Sequence, residues 1–128
     1  GERVRKVLSD FIRLDKTNEI SIIHLRTEHG ALAQKENEIY YFLVDSKKSI
    51  VMYTEKEKLV IKENLKDIYD KLDKFMFYES HRSCILSLMY VYKYVGFDII
   101  MKNGEFVPLS QRKGKEFRNL VNEFLHIK

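Results

Sequence analysis

Cysteine and proline each occur once, at Cys84 and Pro108, and the five glycines are scattered. A single thiol cannot close an internal disulfide, which fits a reducing, cytoplasmic setting. With so little proline, and with neither glycine nor serine clustered, there is no obvious linker, repeat or low-complexity segment. The same scatter excludes a glycine-rich phosphate loop. No apolar run approaches the roughly 20 residues that a membrane span needs. The N-terminus has neither the apolar stretch nor the small-residue cleavage site of a secretion signal. Positive charge is only slightly in excess, with 23 Lys and Arg against 19 Asp and Glu and a formal net charge of +4. That balance permits a nucleic-acid partner without demanding one.

Catalytic and metal-binding patterns are equally sparse. His24 and His29 stand five apart across an expected turn, with no third ligand nearby, and His81 and His126 add no zinc-like spacing with Cys84. His81 and Cys84 are three apart, which makes a thiolate–imidazole pair conceivable. Nothing in the sequence supplies the orienting group or oxyanion hole that a cysteine nucleophile needs, so a buried, inert thiol is the better reading. Most carboxylates sit beside lysines on expected helix faces. No enzyme, cofactor or metal is expected.

What is present is one domain's worth of chain, 128 residues, with a mainly β pattern. Val4, Val7, Leu8, Phe11 and Ile12 fall on one face at helical spacing, opposite Arg3, Arg5, Lys6 and Asp10. This N-terminal helix either packs on its own domain or connects to another. Residues 1–19 are assigned to it, and 20–128 to the domain proper. Its start directly after Gly1 suggests a fragment of a longer protein with a domain upstream.

From Ile20 the period changes to that of strands. Ile20 to Arg26 is a candidate strand, with a turn at Glu28-His29-Gly30. Ile39 to Val44 and Ser49 to Thr54 flank a polar hairpin tip, and Lys58 to Ile61 is a further short strand. Asn64 can cap a helix carrying Leu65, Ile68, Tyr69 and Leu72 on one stripe. Phe75 to Tyr78 and Ser83 to Leu88 follow as strands around a polar kink at Glu79-Ser80-His81-Arg82. Tyr90, Tyr92 and Tyr94 are placed on one face of the next strand. Asn103-Gly104 predicts a two-residue hairpin loop with positive φ at both positions. Ser110 is the expected cap of a closing helix with Phe117, Leu120, Val121, Phe124 and Leu125 along its apolar stripe.

Three polar tips punctuate this framework: Ser46-Lys47-Lys48-Ser49, Ser80-His81-Arg82-Ser83 and Ser110-Gln111-Arg112-Lys113. Each combines cations with short hydroxyl donors, the groups that contact phosphates, and an arginine can fork onto guanine O6 and N7. By composition alone they are better read as ordinary surface turns.

The order of the motifs adds a further signal. Phe77-Tyr78-Glu79-Ser80-His81-Arg82-Ser83-Cys84-Ile85-Leu86-Ser87 resembles the F-x-R-x-H-R-S-x-I-V-N segment of the LytTR DNA-binding family of bacterial response regulators. Ile39-Tyr40-Tyr41-Phe42 is similar to that family's D-I-x-Y-I-E strand, and Leu65 to Leu72 falls where the family has its short helix. Asn103-Gly104-Glu105-Phe106-Val107-Pro108-Leu109-Ser110 resembles its N-G-x-x-I-P-V-S hairpin, which precedes a basic segment. The resemblance spans about Ile20 to Leu125.

The resemblance implies a LytTR-like β-β-β arrangement of small antiparallel sheets, with a short internal helix and a helix at each end. Its loops would enter successive major grooves of promoter DNA. Carried over by position, the DNA-binding residues are Lys47, Lys48 and Ser49 in the first loop, His81 and Arg82 in the second, and Ser110, Arg112 and Lys113 in the third. Arg82 and Arg112 would read bases, while Lys47, Lys48, Lys113, Ser49 and Ser110 would hold phosphates. The sequence departs from the family at Leu43, Glu79, Ser87 and Gln111. Of these, Glu79 brings negative charge beside the second loop, where it could repel phosphate, accept from cytosine or pair with an arginine.

The function expected is sequence-specific binding of double-stranded DNA by a cytoplasmic bacterial transcription regulator, with homodimers on paired sites and no membrane partner. A different class of reading is a degenerate relative that docks another protein through the tyrosine row or the N-terminal helix. Single-stranded RNA bound by stacking on Tyr40, Tyr41 and the same row is a weaker third.

Overall fold

The computed structural model describes Ser21 to Ile127, with side chains through Phe124. The expected helix at 4–12, and residues 1–19 as a unit, lie outside the described residues. Strands β1 (Ile22–Thr27), β2 (Gly30–Lys35), β3 (Ile39–Val44), β4 (Ile50–Thr54) and β5 (Lys58–Ile61) lead into helix α1 (Leu65–Lys71). Strands β6 (Phe77–His81), β7 (Cys84–Ser87), β8 (Val91–Val95), β9 (Asp98–Met101) and β10 (Phe106–Pro108) follow, and helix α2 (Gly114–Ile127) closes the chain.

All strand pairs are antiparallel. Seven strands form one sheet in the order β2-β1-β5-β4-β3-β7-β6, and three form a second in the order β10-β9-β8. The β1–β2 hairpin joins the larger sheet through one pair, Thr27 with Ile61. The mainly β fold of antiparallel sheets expected from the sequence is therefore present, with β5, β4, β3, β7 and β6 in one continuous run.

Strand alternation sorts the larger sheet's side chains onto two faces. Phe42, Met52, Ile85 and Phe77 point to one side, where Ile68 and Leu72 from the α1 region and Ile23 and Leu25 of β1 cover them. Tyr41, Tyr78, Cys84 and Leu86 point to the other, against Ile99, Met101 and Val107 of the small sheet and Phe117 and Val121 of α2. The sheet is thus a middle layer with two cores. Cys84 lies inside the second of these. Burial pushes its thiol up to about 12, only partly offset by a hydrogen bond with Ser80, so it stays neutral and inert.

Several local expectations are corrected. Strand β2 had no β-like signature, since Ala31, Ala33, Gln34 and Lys35 are poor strand formers. Six consecutive pairings with β1 impose it. Strand β6 begins at Phe77, because Asp73 caps a turn through Phe75 N and accepts from Met76 N and Phe77 N. The expected kink at 79–82 shrinks to Arg82-Ser83, as Glu79, Ser80 and His81 are strand residues.

The tyrosines do not share one face. Tyr90 lies in a 3-10 turn and packs on Tyr40, with ring centroids 4.3 Å apart. A bulge between Val91 and Lys93 leaves Tyr92 exposed, whereas Tyr94 meets Phe117 edge-on. At the Asn103-Gly104 hairpin only Gly104 has positive φ. Gly104 N donates to Met101 O and Met101 N to Glu105 O, so the loop has three residues, closed by a left-handed glycine. Ser110 makes no side-chain cap, because a 3-10 turn at Gln111–Lys113 intervenes before α2. The Asn64 cap forms as expected, with its side chain accepting from Asp67 N.

Candidate nucleic-acid interface

The first loop, between β3 and β4, is built by Asp45. Its Oδ1 accepts from Lys47 N and Ser49 N, both at 2.9 Å, while Asp45 N donates to Ser49 O. This is the same three-residue loop as the Gly104 hairpin, with Lys48 at the left-handed position, φ 66°. A side chain there costs about 1 kcal/mol relative to glycine. Lys48→Gly is therefore expected to raise stability by about 0.5–1 kcal/mol in urea titration, despite deleting a lysine from the candidate interface. A loss of stability would show that the lysine stem packs usefully.

The second loop is the Arg82-Ser83 turn of the β6–β7 hairpin. Ser83 N donates to His81 Nδ1 at 3.1 Å, and Ser83 Oγ lies 2.9 Å from the same nitrogen. An Nδ1 that accepts a backbone N–H carries no proton, which assigns the imidazole proton to Nε2 and leaves that atom a donor.

The third loop is bonded to the second. Ser110 N donates to Ser80 O at 2.8 Å, and the buried Ser80 Oγ donates to Pro108 O at 2.8 Å. Lys113 Nζ donates to Glu79 O at 2.8 Å, lies 3.8 Å from the Glu79 carboxylate and sits over the Tyr78 ring. Lys113 thus works as a tether between the loops, and Glu79 pairs with this lysine, where pairing with an arginine had been one expectation. Arg112 is exposed.

These ties bring His81, Arg82, Ser110, Arg112 and Lys113 together with Glu79 around one open concavity of about 360 Å³. The first loop lies at the same end of the sheet, because Leu43 pairs with Cys84 and Val44 N donates to Ser83 O at 2.9 Å. It does not share that concavity. Lys48 and Ser49 border a separate depression with Arg26, Ile50, Lys62, Glu63, Asn64 and Asp67, and Lys47 lines neither. Arg26 and Lys62 carried no local signal in the sequence, since each belongs to a strand end and only tertiary pairing sets it beside the first loop. Among the other departures, Leu43 packs half-buried against the second core. Ser87 is fully buried, and its Oγ has no hydrogen-bond partner among the described residues.

Residues 33–122 match the model of the LytTr DNA-binding domain. The chain is 30% identical over 112 residues to Transcriptional regulatory protein YpdB of Escherichia coli O6:H1, covering 83% of this chain and 45% of that protein. It therefore spans less than half the length of that relative. Among solved structures, the LytTr DNA-binding domain of a putative methyl-accepting/DNA response regulator from Bacillus cereus superposes with a TM-score of 0.64. That match has 26% identity and covers 80% of this chain and 98% of the other. The matched segment, together with the superposition, places this chain in the LytTR DNA-binding domain family.

Proposed function

We propose that this domain binds double-stranded DNA sequence-specifically, by inserting its three loops into the major groove, as the output domain of a bacterial response regulator. One observation carries the reading. Arg82 and Arg112, thirty residues apart in sequence, border a single concavity at one end of the sheet. Two guanidinium groups on one face can address neighbouring base edges, each in the forked geometry that guanine accepts. His81 Nε2 supplies a neutral donor beside them. Lys47, Lys48, Ser49 and Ser110 contact phosphates on either side, and Lys113 holds the third loop in position. Homodimers on paired sites, and a separate regulatory domain in the whole protein, belong to the same proposal.

The test is selection of bound duplexes from a randomised pool, paired with a mobility shift on mixed-sequence duplex. Enrichment of a defined motif is expected, on top of salt-sensitive binding to any duplex at roughly 1–100 μM. No enriched motif and no shift at low salt would overturn the proposal in favour of protein docking.

A further inference from the structure

The depression beside the first loop has features of an anion site that the loop assignments leave unused. At one end of the large sheet, Lys62 follows β5, Ser49 precedes β4, Asp45 follows β3, Ser83 precedes β7 and His81 ends β6. Four interstrand steps separate the first and last of these, about 19 Å at the usual strand spacing. That length matches about six base-pair steps of duplex. Pairing of Ile50 with Ile61 sets Lys62 next to the first loop, and the bond from Lys62 N to Arg26 O, 2.7 Å, adds Arg26.

The charges around this depression do not cancel. Both oxygens of Glu63 are committed, Oε1 to Lys71 Nζ at 2.7 Å and Oε2 to Arg26 N at 2.8 Å, and the side chain is only 5% exposed. Burial opposes ionisation of Glu63, but the Lys71 and Arg26 bonds outweigh it and hold the carboxyl below its usual range. Asp67 is the other carboxylate on the wall. Against these two carboxylates stand three cations, Lys48, Lys62 and Arg26, whose Nε lies 4.0 Å from Glu63 Oε2 while its side chain stays 72% exposed. Ser49 Oγ and the Asn64 amide nitrogen add neutral donors, since Asn64 uses only its oxygen in capping α1.

We propose that Arg26 and Lys62, with Lys48, form a phosphodiester-binding site that extends the DNA footprint beyond the three loops on the β1–β5 side. This rests on the DNA-binding reading above. It adds contacts that position the duplex and read no bases.

The test is a salt titration of binding to a mixed-sequence duplex of about three helical turns, followed by fluorescence anisotropy. Each phosphate contact contributes about 0.9 to the slope of log K against log salt. Lys62→Ala and Arg26→Gln should each flatten the slope by about one, and the double variant by about two. Lys56→Ala, in the β4–β5 turn at the opposite end of the sheet, should leave it unchanged. Thermal midpoints of all variants check that folding is intact. If Lys48→Ala flattens the slope while the Arg26 and Lys62 variants do not, the flanking site is wrong and the DNA reading stands. Equal flattening by Lys56→Ala would replace a site with diffuse surface charge, again against the proposal. A wild-type domain that binds no duplex would remove the reading beneath it.

Discussion

Arg112→Ala is expected to weaken binding to the selected duplex by about 1–3 kcal/mol, roughly five- to 150-fold, with little change in stability. Arg112 is exposed on a 3-10 turn and has no ion-pair partner among the described residues, so folding does not depend on it. Its neighbour behaves differently. Lys113 is bonded to Glu79 O and covers Tyr78, so its removal should lower stability and affinity together. Arg112→Lys separates charge from geometry. An ammonium keeps the phosphate attraction but loses the planar fork, so mixed-sequence affinity should survive while discrimination is lost. The measurement is anisotropy at fixed salt on the selected duplex and on a scrambled one. Equal losses on both would make Arg112 a phosphate contact, and no loss on either would remove it from the interface.

How much of this was legible in the sequence depended on whether the signal was local. The Asn64 cap and the hairpins around residues 45–49 and 103–104 are set by residues a few positions apart, and they were found. The Arg82 and Arg112 loops were found through motif order. Strand β2 was missed because its residues form a strand only when paired with β1. Ser80 looked like a loop residue, as a small polar side chain next to His81 and Arg82. Its burial and its bond to Pro108 O depend on a contact 28 positions away. The tyrosine row failed for a related reason. One inserted residue at the bulge turns the following side chains to the other face, and composition does not announce a bulge. Arg26 and Lys62 show the limit most clearly, because their proximity to Lys48 depends on two separate strand pairings.

Phe117→Ala should cost about 3–5 kcal/mol, a large fraction of the 5–15 kcal/mol typical of a domain this size. Phe117 is fully buried and lies between Tyr78 of β6, at 5.8 Å between ring centroids, and Tyr94 of β8, at 5.7 Å in an edge-on contact. It therefore joins α2, the large sheet and the small sheet at one point. Truncation removes a whole ring and leaves a cavity that three separate elements would have to move to fill. Phe117→Leu retains most of the volume and should cost clearly less, and the difference between the two variants isolates the packing contribution. The third loop lies immediately before α2, so loosening the helix also loosens Ser110 to Lys113. Under conditions where Phe117→Ala remains folded, its affinity for the selected duplex should fall although residue 117 touches no DNA. Urea titration gives the first number and anisotropy the second. A stability cost below about 1 kcal/mol would mean that the second core closes without this ring. Full affinity in a destabilised variant would mean that Ser80 and Lys113 alone hold the loop.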